Sequence, residues 1–377
     1  MNGAALAGPD RPHRIDQFVP SFVMHDAISN HVRQVQRTLR DAGYQSEVFY
    51  EHLDPRLEGR ARHYTLCDPA PDPRRVILYH ASTHSDMAGW LTAAARGGQS
   101  VAMDYHNITP SEYFARWEPQ AARSMELARR QLAEVLPWVG LAVADSAYNA
   151  SELVELGHPR TAVCPLLLDL SDFHGEPDPA LAARLAAARS SGPLWLFVGR
   201  VAPNKCQHDV IAAFAVYRRL FAPGARLALV GGATSVRYMN SLRSMADQLE
   251  VGDSVEFVGS ASFPEMLGYF RAADAFVCLS EHEGFCVPLI EAMEVGTPVV
   301  AYRSSAVTET VAAAGILLDD KDPLSVATAV DALLSDPART QAAVAAGRRR
   351  AAAFSLERTG QAWLAQFSAP VPPAAGA

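Results

Sequence analysis

Residues 275–301 read AFVCLSEHEGFCVPLIEAMEVGTPVVA, and this stretch decides how the rest of the chain is read. It opens on an apolar run at 275–279, turns, enters a helix start marked by Pro288, and closes on a second apolar run at 298–301. Strand, helix and strand in that order are the repeating unit of a parallel sheet covered on both faces. Leu289, Ile290 and Met293 give the helix a side to bury, and Gly284 lets backbone come close to a ligand. Glu283 and Glu291 lie on either side of that turn and helix start. Backbone N–H groups near 284–287 fall at a helix N-terminus, which favours an anion.

The same alternation extends outward in both directions. Apolar runs at 194–198, 226–230 and 254–258 are separated by helical patterns at 208–220 and 238–249. In the first half, 15–19, 47–50, 76–79, 101–105 and 141–144 read as strands. Val32, Val35, Gln36 and Leu39 recur at helical spacing, with Gly43 as the stop. Residues 165–179 break into Pro, Asp and Gly and read as a linker. The expected fold is therefore α/β, two doubly wound Rossmann-like domains with an interdomain cleft, where ligands sit beyond the carboxyl ends of the strands. The domains are expected at 1–174 and 175–354. The segment 355–377 carries Leu356, Trp363, Leu364 and Phe367, which need a surface to cover, and its Pro/Ala-rich end from 369 reads as disordered.

Composition excludes several classes. With 377 residues, 49% hydrophobic and 20% charged, the chain reads as a soluble globular protein too long for one ordinary core. A net charge of −8 offers no basic face for nucleic acid. The five cysteines contain no Cys-x-x-Cys pair, which argues against a zinc ribbon and for a reducing compartment. Residues 1–12 lack the basic start and apolar run of a signal peptide, and no apolar stretch reaches the ~20 residues of a membrane helix. A cytoplasmic protein is expected, with peripheral attachment to the inner face of the membrane compatible with it and oligomeric state unreadable.

The second cluster with chemistry in it is Gly199-Arg200-Val201-Ala202-Pro203-Asn204-Lys205, directly after the 194–198 strand. Lys205 and Lys321 are the only lysines in the chain. Cations projecting from a strand end favour a diphosphate leaving group, whose negative charge grows as its sugar bond breaks. Carboxylates such as Glu283 and Glu291 accept hydrogen bonds from sugar hydroxyls.

The segments LFVGRVAPNK, ALVGG, VEFVG, AADAFVCLSEHEGFCVPLIEAMEVGTPVVAY and AAFSLERT resemble retaining glycosyltransferase family four, of the GT-B fold. Looser similarity extends upstream through HVRQVQRTLRDAGYQSEVFY and VADSAYNASELVELG. The resemblance implies a retaining, metal-independent hexosyltransferase with no cofactor. Its co-substrates would be a nucleotide-diphosphate sugar, of the GDP-mannose or UDP-glucose and UDP-GlcNAc types, and a hydroxyl acceptor. It makes 175–354 the donor domain and 1–174 the acceptor side, completed by a C-terminal helix at 355–377 that crosses back onto it, in polysaccharide, lipid-linked glycan or small-molecule glycosylation. By position, Arg200 and Lys205 match the diphosphate-binding pair, Glu283 the glutamate near the donor sugar, and Glu291 the one that holds the ribose. Gly284, Phe285 and Cys286 match the loop that contacts sugar or phosphate through its backbone. His106 matches a histidine beside the donor sugar, so His106, Glu283, Arg200 and Lys205 form the expected catalytic set.

The departures are specific. Cys206 and Cys286 stand where the family usually has glycine, and Ser305-Ala306 where two glycines often lie. The first strand-to-helix loop carries Ala27-Ile28-Ser29-Asn30 in place of paired glycines, with Ser29 or Asn30 read as helix caps. His80 and His84 are read as acceptor contacts after the third strand rather than metal ligands, and His84, Asn107 and Thr109 make up the acceptor-side set. A catalytically silent GT-B binding protein and a nucleotide-sugar epimerase are the competing readings. A dinucleotide oxidoreductase is disfavoured, because no Gly-x-Gly-x-x-Gly follows the first strand.

Overall fold

The computed structural model describes residues 12–24 and 26–373, so the reading of the extreme N-terminus lies outside the described residues. The strand and helix alternation condenses into two compact units. One comprises Met1–Ser111, Gln120–Asp169 and Phe354–Ala377, and the other Glu112–Pro119 and Leu170–Ala353. The division at Asp169 comes earlier than the expected 174. The segment Glu112–Pro119 joins the second unit because its aromatic rings pack there: Trp117 lies 5.1 Å from Tyr238 and Tyr113 5.9 Å from His282.

The sheet of the first unit has seven parallel strands among the described residues: β1 Arg14–Phe22, β2 Val48–Leu53, β3 Arg62–His63, β4 Arg75–Ala81, β5 Ser100–Tyr105, β6 Leu141–Ala144 and β7 Thr161–Val163. Their order is β3-β2-β1-β4-β5-β6-β7. The second sheet contains β8 Leu194–Val198, β9 Arg226–Val230, β10 Val255–Gly259, β11 Ala275–Cys278, β12 Val299–Tyr302 and β13 Ile316–Leu318, in the order β10-β9-β8-β11-β12-β13. Every residue of β4 and of β8 is buried, as expected of central strands covered on both faces. The strands without a sequence expectation, β3, β7 and β13, are two- or three-residue edges, too short to show a period.

In both sheets the strand order reverses once, between β1 and β4 and between β8 and β11. Such a reversal opens a crevice at the carboxyl ends of the two flanking strands. The loops that leave β8 and β11 are the Arg200–Lys205 and Glu283 segments.

The helix Leu356–Gln366 belongs to the first unit. Trp363, Phe367 and Val371 are buried with Ile15, Val35, Leu39 and Leu141 in one core cluster. The end of the chain is therefore packed, not disordered, as far as it is described. A Cβ placed on Gly140 would meet the Pro372 carbonyl oxygen at 1.9 Å. Among the described residues no helix is long and apolar enough to cross a membrane.

Candidate active site

The loop after β8 turns on two glycines. Gly199 has φ 149° and Gly231, at the end of the neighbouring β9, has φ 144°. A Cβ on Gly231 would lie 2.0 Å from the Gly199 carbonyl oxygen, so only glycine fits this close approach. Beyond it Arg200 is exposed, and its carbonyl oxygen accepts a hydrogen bond from Gln207 Nε2 at 3.0 Å. A short turn, Pro203–Lys205, leads into the helix Gln207–Leu220.

This loop is stitched to the one that leaves β11. Asn204 Nδ2 donates to the His282 carbonyl oxygen at 3.0 Å, and the Glu281 N–H donates to the Asn204 carbonyl oxygen at 2.9 Å. Lys321 Nζ adds ion pairs at 2.5 Å to both Asp209 and Glu281. The second lysine thus ties two loops together, while Lys205 Nζ forms an ion pair with the Glu283 carboxylate. Lys205 keeps 18% of its side chain exposed and Glu283 6%. One cation and one carboxylate, 78 positions apart in sequence, meet at the sheet reversal.

The Glu283 loop is held from a third side. Its N–H donates to Ser305 Oγ at 2.9 Å, and Ser304 Oγ donates to the Ser280 carbonyl oxygen at 2.6 Å. Thr310 Oγ1 donates to the Phe285 carbonyl oxygen at 2.7 Å. These three hydroxyl residues were not read as site residues. The only signal available for Ser305 was that it stands where the family has glycine. Cys206, Cys286 and Ser305 all adopt positive φ (52°, 70° and 37°), so the glycine positions are real backbone requirements met here by other residues. A non-glycine residue in this region costs roughly 1–2 kcal/mol.

Cys286 opens the helix Val287–Val295, with its sulfur 4.0 Å from that of Cys278. The Cys278 contact and burial push the Cys286 thiol well above its ordinary range, which makes it a packing group rather than a nucleophile. Glu291, on the same helix, is largely buried, and burial pushes its carboxyl up to about 7.

In the first unit, the helix that follows β1 is capped by neither Ser29 nor Asn30. Asp26 is the cap, accepting from the Ser29 N–H at 2.9 Å, while Ser29 Oγ accepts from the Val23 N–H at 3.0 Å. His80 does not face an acceptor: it lies on β4, fully buried, against Gln17 and His106. His84 is exposed, apart from this group. Asn107 has φ 72°, and its Nδ2 donates to Asn149 Oδ1 at 2.9 Å and Glu152 Oε2 at 3.0 Å. Thr109 is partly exposed. The His106 ring, only 1% exposed, is bonded through both nitrogens: Nδ1 to Asp145 at 3.0 Å, Nε2 to His80 Nδ1 at 2.9 Å and to Asp104 at 3.2 Å. It is therefore not available as a surface acid or base.

Residues 186–350 match the family glycosyl transferases group 1. A D-inositol 3-phosphate glycosyltransferase of Thermobispora bispora is 30% identical over 302 residues, covering 76% of this chain and 69% of that protein. The chain belongs to the group 1 glycosyl transferases. Another member, the GDP-mannose-dependent alpha-(1-6)-phosphatidylinositol monomannoside mannosyltransferase of Mycolicibacterium smegmatis, is 32% identical over 59% of this chain and 60% of its own length. The GT-B fold of the family is evident in solved structures. Anabaena HepE in complex with UDP and glucose superposes with a TM-score of 0.72 at 17% identity, covering 94% of this chain and 99% of that one. WaaG, a glycosyltransferase involved in lipopolysaccharide biosynthesis, superposes with a TM-score of 0.64 at 14% identity, covering 93% and 98%.

Proposed function

We propose that this glycosyl transferase moves a hexose from a nucleotide-diphosphate sugar to a hydroxyl with retention of configuration and without a metal ion. The Lys205–Glu283 ion pair at the reversal between β8 and β11 carries this reading. It joins a group that suits a leaving diphosphate to one that suits a sugar hydroxyl. In this reading Lys205 turns from Glu283 to the diphosphate when the donor enters, and Glu283 accepts from the sugar. Arg200 supplies a second cation and Glu291 binds the ribose. The acceptor oxygen bonds to the anomeric carbon on the face from which the phosphate oxygen departs, and the acceptor proton passes to that oxygen. The rising negative charge is met by Arg200 and Lys205, so electrostatic stabilisation supplies the main lowering of the barrier. Gly284, Phe285 and Cys286 shape the sugar pocket, and His84, Asn107 and Thr109 form the acceptor side. GDP-mannose and UDP-glucose are the leading donor types. An inositol-containing acceptor is supported by two relatives, a D-inositol 3-phosphate glycosyltransferase and a phosphatidylinositol monomannoside mannosyltransferase.

The test is a thermal-shift screen with GDP-mannose, UDP-glucose and UDP-GlcNAc, followed by transfer assays with the best donor in EDTA and NMR of the product anomer. Stabilisation by one donor and a retained anomer in EDTA are expected. Failure of every nucleotide sugar to bind, an inverted product, or activity restored only by added divalent metal would each refute the corresponding part.

A further inference from the structure

The first unit contains a buried group of ionisable side chains far larger than one positioned histidine requires. Five elements contribute to it: Gln17 on β1, His31 on the helix Ala27–Asp41, His80 on β4, Asp104 at the end of β5 with His106 just after it, and Asp145 just after β6. The parallel register aligns His80 with Asp104, and His106 follows Asp104 by the two-residue period of one sheet face. All five ionisable residues are buried, His31, His80 and Asp104 completely.

With the Gln17 amide oxygen turned toward His80, the hydrogen-bond partners assign the protons. The Leu167 N–H donates to His31 Nδ1 at 2.8 Å, so His31 carries its proton on Nε2 and donates it to Asp104 Oδ2 at 2.8 Å. His80 Nε2 lies 3.0 Å from Gln17 Oε1 and donates there, which leaves His80 Nδ1 without a proton, 3.2 Å from Asp104 Oδ2. His106 Nδ1 lies 3.1 and 3.0 Å from the two Asp145 oxygens and donates to that carboxylate. The other His106 nitrogen, Nε2, faces bare His80 Nδ1 at 2.9 Å and Asp104 Oδ2 at 3.2 Å. Two acceptors at that point require a second proton on His106. Without it, three lone pairs would face one another in a buried site, an arrangement that is strongly unfavourable.

The electrostatics agree. Burial opposes a charge on His106, yet the Asp104 and Asp145 carboxylates outweigh it and hold the imidazolium up to about 9. Burial pushes His80 the other way, down to about 4. Burial would raise Asp104, but the imidazoles around it, His106 foremost, hold its carboxyl well below the ordinary range. Asp26 adds a further negative charge toward His106 from the helix side.

A metal ion fits this geometry poorly, although His31, His80, Asp104 and His106 gather enough ligand atoms for one. The His80 and His106 rings are coplanar within 4°, with centroids 5.2 Å apart and nitrogens 2.9 Å apart. Their nitrogens point head-on at each other, the geometry of an N–H···N bond, whereas a shared ion needs lone pairs that converge at an angle. His31 is also unsuitable, since the nitrogen that would carry its proton on metal binding already accepts from Leu167.

We propose that Asp145, Asp104 and His80 are positioning residues that hold His106 as a captive imidazolium, so that a sugar at the end of β5 meets the main chain of His106 and Asn107 rather than an imidazole acid or base. This rests on the reading that the end of β5 belongs to the sugar site. Asn107, held at positive φ by Asn149 and Glu152, completes the rigid corner.

The experiment is long-range 1H–15N NMR of histidine-labelled full-length protein between pH 6 and 8.5, with the His106 signals assigned by their loss in His106→Gln. Both His106 nitrogens are expected to stay protonated through pH 8. A neutral His106 tautomer, or a midpoint near that of a free imidazole, overturns the proposal, and so does one equivalent of zinc in the purified protein. Asp145→Asn is expected to lower the midpoint by about one unit or more. As pH rises through that lower midpoint, the transfer rate with GDP-mannose or UDP-glucose should fall in kcat, with donor KM unchanged within about twofold. A variant whose kcat stays flat across its midpoint while its Tm alone drops assigns the cluster a purely structural role and overturns the proposal. If wild-type protein turns over no nucleotide sugar, the proposed function fails while the NMR result still decides the protonation of His106.

Discussion

Replacing Lys205 with methionine removes the charge but keeps most of the side-chain length, and the structure dictates two separable effects. The first is on stability. Lys205 is the ion-pair partner of Glu283, which is 6% exposed, so Lys205→Met leaves a buried carboxylate unpaired. Breaking a buried pair from one side costs about 3–5 kcal/mol, and the 18% exposure of Lys205 places this one near the lower end, at about 3. For a unit of this size that is a fall in Tm of roughly 6–12 °C. The second effect is on chemistry, where loss of one fixed donor to a leaving group lowers kcat by about 100- to 1,000-fold. The double variant Lys205→Met/Glu283→Gln separates them: with no charge left to bury, it should recover most of the lost Tm and none of the lost kcat. Calorimetry at pH 7.5 and single-turnover transfer with the donor found by screening provide the two readouts. Transfer within tenfold of wild type by the double variant would remove Lys205 from the mechanism. An unchanged Tm in the single variant would show that the ion pair contributes nothing to the fold.

Two further outcomes are expected. Glu291 has its carboxyl raised to about 7, so its contribution to stability is complete below its ordinary value and is lost as pH rises through 7. Glu291→Gln should therefore raise stability by about 2–3 kcal/mol at pH 8, with the gain vanishing toward pH 4.5, while nucleotide affinity falls about 10- to 100-fold. Denaturant titrations at the two pH values and calorimetric titration with GDP and UDP check both signs, and a gain that persists unchanged at pH 4.5 refutes the argument. Gly231→Ala places a Cβ 2.0 Å from the Gly199 carbonyl oxygen. It should cost about 1–3 kcal/mol and weaken nucleotide binding by displacing the Arg200 turn. Gly232→Ala, whose Cβ would meet only Ser260 Oγ at 3.1 Å, is the milder control.

What the sequence disclosed follows its periodicity. Fully buried strands such as β6 and β8 run from end to end where their apolar runs predicted, because burial on both faces writes an unbroken signal. The short edges β3, β7 and β13 wrote none. In the candidate site, Arg200, Lys205, Glu283 and Glu291 were proposed from residue type and spacing, together with the family resemblance. The contact between Lys205 and Glu283 was not, since it depends on β8 and β11 being neighbours in the sheet. Ser304 and Thr310 escaped notice, and Ser305 was noted only as a replaced glycine, because hydroxyl residues that bond to backbone look like any loop residue in sequence. The hardest case was the histidine cluster: His31, His80 and His106 are 26 or more positions apart from one another, and it takes the register of β4 and β5 for two of them and the helix after β1 for His31 to bring them to one point.

Trp363, Phe367 and Val371 fill a core whose other walls include Ile15, Val35, Leu39 and Leu141. During synthesis the ribosome releases the residues of the second unit before it delivers these three. The unit that contains the start of the chain therefore waits, with an open apolar wall, until nearly the last described residue has emerged. Folding completes in the order opposite to translation. A nonsense codon or a protease cut near residue 353 would strike the N-terminal sheet, although no residue of that sheet is missing.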